Sequence, residues 1–314
     1  MATLLAHVRI ARFDHWVKNV FVLPGIAVAL ALDRSLIASV NWWLPLAGLV
    51  AVGLVASSNY VINDILDAPF DRMHPIKRLY PAASGEINVP LAWLEWLVLF
   101  AAGESLGLLV SRPLGICLAG LWIVGLAYNV PPFRLKDVPF VDVLTESANS
   151  PLRFLAGWYM TGTAQIPVTS LLISYWMVGA YLMAIKRYAE IRDIRTRETL
   201  VQYRKVFRHL TERTLLASIA FYGSLAMLFF GAFMGRYRLE MALAFPLVAV
   251  VMAAYMALAF KPDSAAQRPE GLLREPWLLA AVVVCAAVIG VLLFADLPWL
   301  HELFKPTAAP DLSR

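Results

Sequence analysis

The sequence predicts an all-α, polytopic membrane protein, with nine transmembrane helices in one integral-membrane domain over residues 1–314. Three observations predict it. Hydrophobic residues fill 60% of the 314 positions, well above the about 45–50% of soluble domains. Charged residues fill only 16%, where about 25% is usual. The apolar residues are gathered into runs near the length of about 20 residues that crosses a bilayer. Mean hydropathy is +0.67. A single soluble core stops growing near this chain length, so this much apolar surface requires lipid as its solvent. A disordered chain, a disulfide scaffold and an ordinary soluble domain are excluded.

The nine runs are, in order, 17–32, 42–62, 91–110, 113–130, 140–160, 166–185, 214–235, 239–260 and 277–297. The first is short and follows Arg9, Arg12 and Lys18, the flanks of a secretory signal peptide. Eight further runs and no soluble domain to export argue that it stays as a span. The third carries Glu95 and Glu104, expected as interhelical or interfacial groups. The fourth and ninth hold Cys117 and Cys285, the only cysteines. Thiols so placed read as buried hydrophobes, not as a disulfide or a zinc site. The fifth carries Asp142, Glu146, Asn149 and Arg153, spaced 4, 3 and 4 and so on one helical face. Polar groups at membrane depth face a cavity or a partner helix. Cavity lining is the reading favoured here, with pairing to another helix as the alternative.

With the N-terminus inside and alternating spans, twenty of the 27 Lys and Arg residues fall on inner segments and six on outer ones. That positive-inside imbalance sets the N-terminus and the charged loops in the cytoplasm and the C-terminus outside, in a cell (inner) membrane. The net charge of +5 has the sign of a nucleic-acid binder. Its basic residues are diluted by apolar runs, however, so no nucleic-acid partner is expected.

Two inner loops carry carboxylates that topology does not need. The first runs from Asn63 to Pro81 after the second span. Asp64, Asp67 and Asp71 stand at i, i+3 and i+7, one face of a helix. Three such carboxylates repel unless a cation sits among them. Mg²⁺ suits them, since it prefers oxygen and takes one or two carboxylates plus substrate phosphates. Lys77 and Arg78 follow and suit an anionic ligand. Pro69 lacks the N–H that would bond Ile65, so a helix break before Asp71 is expected.

The second loop follows the sixth span as Lys186-Arg187-Tyr188-Ala189-Glu190-Ile191-Arg192-Asp193. Lys186, Glu190 and Asp193 again share a face. Pattern alone does not separate a second phosphate site from a solvated amphipathic helix, and taken by itself it favours a salt-bridged helix leaving the membrane. The basic stretch from Arg195 to Arg213 also fits a segment lying on anionic headgroups.

Asn63-Asp64-x-x-Asp67-x-x-x-Asp71 with its basic cluster resembles the first signature of the UbiA superfamily of intramembrane prenyltransferases. Tyr128-Asn129-Val130-Pro131-Pro132-Phe133-Arg134-Leu135-Lys136 is similar to that family's Tyr-x-x-Pro-Pro-x-Arg-x-Lys loop. The resemblance implies nine helices around a central cavity, capped by the two acidic loops and open laterally to lipid. It implies an enzyme, a Mg²⁺-dependent transferase acting on a prenyl diphosphate. Trp16-Val17-Lys18-Asn19, Asp71-Arg72-x-His74-Pro75-x-Lys77-Arg78 and the Lys-Arg-Tyr-Ala-Glu run look more like the branch with decaprenyl-phosphate phosphoribosyltransferases. That branch joins phosphoribosyl diphosphate to a polyprenyl phosphate in cell-envelope precursor synthesis. The general expectation is prenyl transfer to a lipophilic small-molecule acceptor, and phosphoribosyl transfer is the alternative.

The roles follow from that resemblance. Asn63, Asp64, Asp67 and Asp71 are the metal-site candidates, and Asp64, Asp67, Asp71, Glu190 and Asp193 the catalytic ones. Lys77, Arg78, Lys186, Arg187, Tyr128, Asn149 and Arg153 are the substrate-binding candidates. Tyr128, Trp158 and Tyr181 are aromatic enough to stabilise a carbocation, although packing is the commoner role. A transporter is disfavoured, because the charges cluster at loops and no inverted repeat is visible.

Overall fold

The computed structural model of the chain describes residues 3–73, 77–193, 198, 200, 201, 204–262, 264–267, 272 and 275–305. His74, Pro75 and Ile76 of the first loop lie outside the described residues, as do Arg195, Arg197, Arg268, Arg274 and Arg314 of the charge distribution.

Every described regular element is helical. The first apolar stretch joins α1 (Leu4–Ile10), a 3-10 helix (Phe13–Val22) and α2 (Leu23–Leu32). After the short α3 (Ser35–Ser39) comes α4 (Trp43–Asp71), 29 residues long. Pro69 sits inside α4 and does not end it, contrary to the break expected from sequence. It falls in the last turn, where a single missing donor matters least, and the Arg72 N–H still bonds the Ala68 carbonyl. The short α5 (Pro81–Ser84) leads to α6 (Val89–Val110) and α7 (Arg112–Asn129), opened by side-chain caps from Asn88 and Ser111. Then come α8 (Val141–Ser147), α9 (Asn149–Met160), α10 (Thr169–Asp193) and α11 (Glu212–Tyr237). Last come a 3-10 helix (Leu239–Ala244) with α12 (Phe245–Leu258), α13 (Pro276–Phe294) and α14 (Pro298–Leu303).

Among the described residues, seven helical stretches are long and apolar enough to cross a membrane: Leu4–Leu32, Trp43–Asp71, Val89–Val110, Thr169–Asp193, Glu212–Tyr237, Leu239–Leu258 and Pro276–Phe294. The chain is thus an integral, multi-pass, all-helical membrane protein. The fourth and fifth expected spans differ from the rest for physical reasons. The fourth is α7, only 18 residues long, with Arg112 and Asn129 at its ends. The fifth is divided at Ala148 into α8 and α9, and polar side chains dilute both.

Burial explains the arrangement. α4 packs along α6, and α10 along α11, as two long pairs. Between them lies α9, which meets α2, α4, α7, α8 and α10. Its crossing with the first stretch is close: a Cβ added at Gly25 would lie 2.0 Å from the Phe154 carbonyl oxygen, and one at Gly157 2.0 Å from that of Val22. Only glycine permits backbones to approach so near, the small-residue contact common in membrane bundles. Tyr181 and Trp158 take part in packing: Tyr181 donates to the Met252 carbonyl at 2.8 Å, and the Trp158 indole to that of Gln165 at 2.9 Å.

Candidate active site

The C-terminal ends of α4, α7 and α10, the start of α8 and the loop before α11 gather at one end of the bundle. The helix of α4 delivers Asp64, Asp67 and Asp71 there on one face, and each meets a different cation. Asp64 is 2% exposed. Arg12 grips both its oxygens, with Nη2 2.7 Å from Oδ1 and Nε 3.2 Å from Oδ2. The Arg12 guanidinium also lies 4.6 Å from the Tyr80 ring centre. Asp67 Oδ1 accepts from Lys136 Nζ at 2.5 Å and from Arg134 Nη2 at 3.0 Å. Asn63 Nδ2 donates to Asp67 Oδ2 at 3.2 Å and to Asn129 Oδ1 at 2.6 Å, tying α4 to α7. Asp71 is buried, with Lys77 Nζ 3.9 Å from its Oδ1. Arg78 is exposed.

The loop after α7 is shaped for this contact. Pro131–Pro132 is a cis peptide, and Arg134 adopts a left-handed φ of 32°. A short 3-10 helix (Leu135–Asp137) then aims Lys136 inward. Burial strips water from the Lys136 ammonium and lowers its pKa to about 8, against the pull of Asp67.

The second wall is built around Arg187 of α10, which is 0% exposed. Its Nε donates to Asp142 at 2.9 Å, Nη2 to Glu146 at 2.7 Å and Nη1 to Glu190 at 3.2 Å. The Tyr128 hydroxyl donates to Glu146 at 2.8 Å and accepts from Arg204. Arg204 belongs to the loop before α11, whose Val206 and Phe207 are buried against α10. That described part of the basic stretch therefore docks on protein. Burial and Arg187 oppose the charge of Arg204, yet Tyr128, Asp142 and Glu146 outweigh them and hold its pKa above the usual value.

The two walls thus bring together Asn63, Asp64, Asp67, Asp71, Lys77, Tyr128, Arg187 and Glu190. Lys186 is half-buried and within electrostatic range of Glu146, Glu190 and Lys77. Arg187 faces three carboxylates, so its donors are committed inside the protein. Asp193 lies apart, exposed, and accepts from Gln267 at 3.2 Å. Asn149 turns back to the Glu146 carbonyl at 2.8 Å. Arg153 lies further along α9. Of the polar face expected on the fifth span, Asp142 and Glu146 pair with another helix, the alternative reading.

Sequence reasoning missed Arg12 as a partner of Asp64, and Arg134, Lys136 and Arg204 as site groups. Only Arg134 and Lys136 carried a signal, through the Tyr-x-x-Pro-Pro-x-Arg-x-Lys pattern.

Among the described residues no three carboxylate, His or Cys side chains stand close enough to cage a metal by themselves. The donor set still fits Mg²⁺, which is held by one or two carboxylates and completes its shell with water and substrate phosphate. Asp64, Asp67 and Asp71 supply hard oxygens of that kind at one helix end.

A sequence profile of the UbiA prenyltransferase family matches residues 21–271. The decaprenyl-phosphate phosphoribosyltransferase of Corynebacterium glutamicum is 32% identical over 188 residues, covering 59% of this chain and 54% of that protein. The digeranylgeranylglyceryl phosphate synthase of Saccharolobus solfataricus is 33% identical over 136 residues, covering 42% of this chain and 46% of that protein. The chain spans about half the length of the curated relatives it matches. The structure of a UbiA homolog from Archaeoglobus fulgidus bound to GPP and Mg²⁺ superposes with a TM-score of 0.70 at 19% identity, over 93% of this chain and 100% of that one. That likeness is one of fold. The profile match, running from the first membrane stretch to beyond α12, makes this chain a member of the UbiA prenyltransferase family.

Proposed function

We propose that residues 1–314 form one membrane transferase domain that breaks the carbon–oxygen bond of a diphosphate ester with Mg²⁺ and transfers the fragment to or from a polyisoprenoid lipid. The carrying observation is the aspartate face of α4, met by Arg12, Arg134, Lys136 and Lys77 from separate parts of the chain. Asp64, Asp67 and Asp71 would hold Mg²⁺, which would neutralise charge on the departing diphosphate. Lys77, Lys136, Lys186 and Arg204 would bind its oxygens, and Asn63 would fix the orientation of Asp67. Tyr128 would position Arg204.

The most general form of this chemistry is prenyl transfer from a prenyl diphosphate to a lipophilic acceptor. One observation favours the second form, transfer of phosphoribosyl from phosphoribosyl diphosphate to a polyprenyl phosphate. Lys186, Arg187 and Arg204 all act on Glu146 and Glu190, so the second wall carries a surplus of basic groups that suits a donor with an additional phosphate. The named Corynebacterium relative supports that form, and the Saccharolobus relative supports the first.

The same reading includes nine crossings with the site on the cytoplasmic side of the inner membrane. Two pairs of contacts support the passage of α7 and of α8–α9. Ser111, before α7, donates to the Tyr159 carbonyl, while Asn129 at its far end meets Asn63. Asp142 meets Arg187, while a Cβ at Gly48, near the start of α4, would touch Met160.

A donor trial on purified protein tests the function. Labelled sugar entering the organic phase from phosphoribosyl diphosphate and polyprenyl phosphate supports the second form. Its absence, with a prenylated acceptor formed from prenyl diphosphate, supports the first. No Mg²⁺-dependent diphosphate release from either donor rejects both.

A further inference from the structure

Phe70 stands between Asp67 and Asp71 in the last turn of α4, three residues on from Asp67 and so on the same side of the helix. Two cations from different loops lie over its ring. The Arg134 guanidinium is 5.1 Å from the ring centre and the Lys205 ammonium 5.6 Å, both inside the roughly 6 Å over which an aromatic face attracts a cation. Arg134 also donates to Asp67 at 3.0 Å, which sets the ring beside the aspartate face.

The two cations are held differently. Arg134 has Asp67 and Asp137 at 3.0 Å each, so its place does not depend on the ring. Lys205 opens a 3-10 helix (Lys205–Arg208) that packs against the one at Leu135–Asp137. It is exposed, and among the described residues no carboxylate forms an ion pair with it. Its neighbour Arg204 donates to Tyr128, whose ring lies 6.0 Å from the Lys136 ammonium that binds Asp67. Lys205 is therefore fixed from both sides at the edge of the aspartate site, with no acid to neutralise it. An exposed ring contact is weaker than a charge-assisted hydrogen bond, so an arriving phosphate oxygen can take the ammonium from the ring. The flexible lysine stem permits that small move.

We propose that Lys205 binds a phosphate oxygen of the donor's diphosphate, and that Phe70 is the positioning residue that holds it ready. This rests on the transferase reading above and deepens it by naming the group that the exposed edge of the site contributes.

The test is calorimetric titration of the purified protein in detergent with inorganic pyrophosphate and Mg²⁺, the group that either donor shares. Lys205→Gln should weaken binding about tenfold or more, the scale of one hydrogen bond to a charged group, and Lys205→Arg should keep most of the affinity. Phe70→Leu should weaken it about two- to fivefold, the scale of an exposed cation–ring contact, and Phe70→Tyr should match wild type. Because Phe70 acts through Lys205, Phe70→Leu should cost nothing further in the Lys205→Gln background. A ring that only packs would cost the same in both. The proposal is overturned if Lys205→Gln binds as tightly as wild type, if the two losses multiply, or if wild type binds no pyrophosphate. Should Phe70→Leu fail to fold, Phe70→Met takes its place in the same comparison. Mg²⁺-dependent diphosphate release from the two donors, followed separately in wild type, tests the transferase reading. No release rejects that reading, while the pyrophosphate affinities still decide the role of Lys205.

Discussion

Arg12 reaches Asp64 from a left-handed backbone, with φ 49° and ψ 49°, and holds both carboxylate oxygens. Arg134, bound to the neighbouring Asp67, is left-handed too, and these are two of the three described non-glycine residues with positive φ. Such a conformation costs on the order of 1–3 kcal/mol. The fold thus places strain where two loops deliver cations to the aspartate face, and a divalent ion would compete with those cations for the same oxygens.

Arg12→Ala leaves a buried carboxylate uncompensated. It should destabilise the metal-free protein by about 3–5 kcal/mol, and Mg²⁺ should recover part of that loss. Thermal unfolding in detergent with and without Mg²⁺ measures it. An equal Mg²⁺ shift in wild type and variant would count against exchange between arginine and metal.

Asp64→Ala and Asp67→Ala should each lower Mg²⁺-dependent diphosphate release by about 10²-fold or more, the scale of losing one preorganised electrostatic element. Release that continues unchanged would sink the metal-site assignment.

Arg187 and Lys186 are neighbours in sequence with opposite expected effects. Arg187→Met strands three carboxylates and should cost stability, about 3–5 kcal/mol, visible as a lowered Tm. Lys186→Ala should leave Tm nearly unchanged and raise KM for the donor. A Lys186 variant that fails to insert would instead assign its charge to topology.

Tyr128→Phe removes the hydroxyl shared by Glu146 and Arg204. The loss should be about 1.5–3 kcal/mol and should fall locally, on the loop before α11. Hydrogen exchange at residues 204–210 should rise while α4 stays protected. Uniform protection across both would show that the hydroxyl does not tether the loop.

How much of this was legible follows from separation along the chain. The aspartate face was readable because helical periodicity lies within eight residues of sequence. Arg12 was not, since 52 residues separate it from Asp64 and no local pattern joins them. Lys186 and Arg187 point about 100° apart on a 3.6-residue helix, and nothing local says which turns inward. The acids of the fifth span were recognised as one face, but only the position of Arg187 decides that they serve a helix contact. Pro69 misled because its cost depends on how much helix follows it, and only Phe70 and Asp71 do.

The two glycine contacts between the first membrane stretch and α9 act as a weld. Backbones pressed together at Gly25 and Gly157 cannot slide past each other or admit a lipid chain between them. Substrate traffic must therefore use another seam. Adding one methyl group at either glycine would prise apart the two segments that carry Arg12 and Arg153, so a change deep in the hydrocarbon would register at the charged end of the molecule.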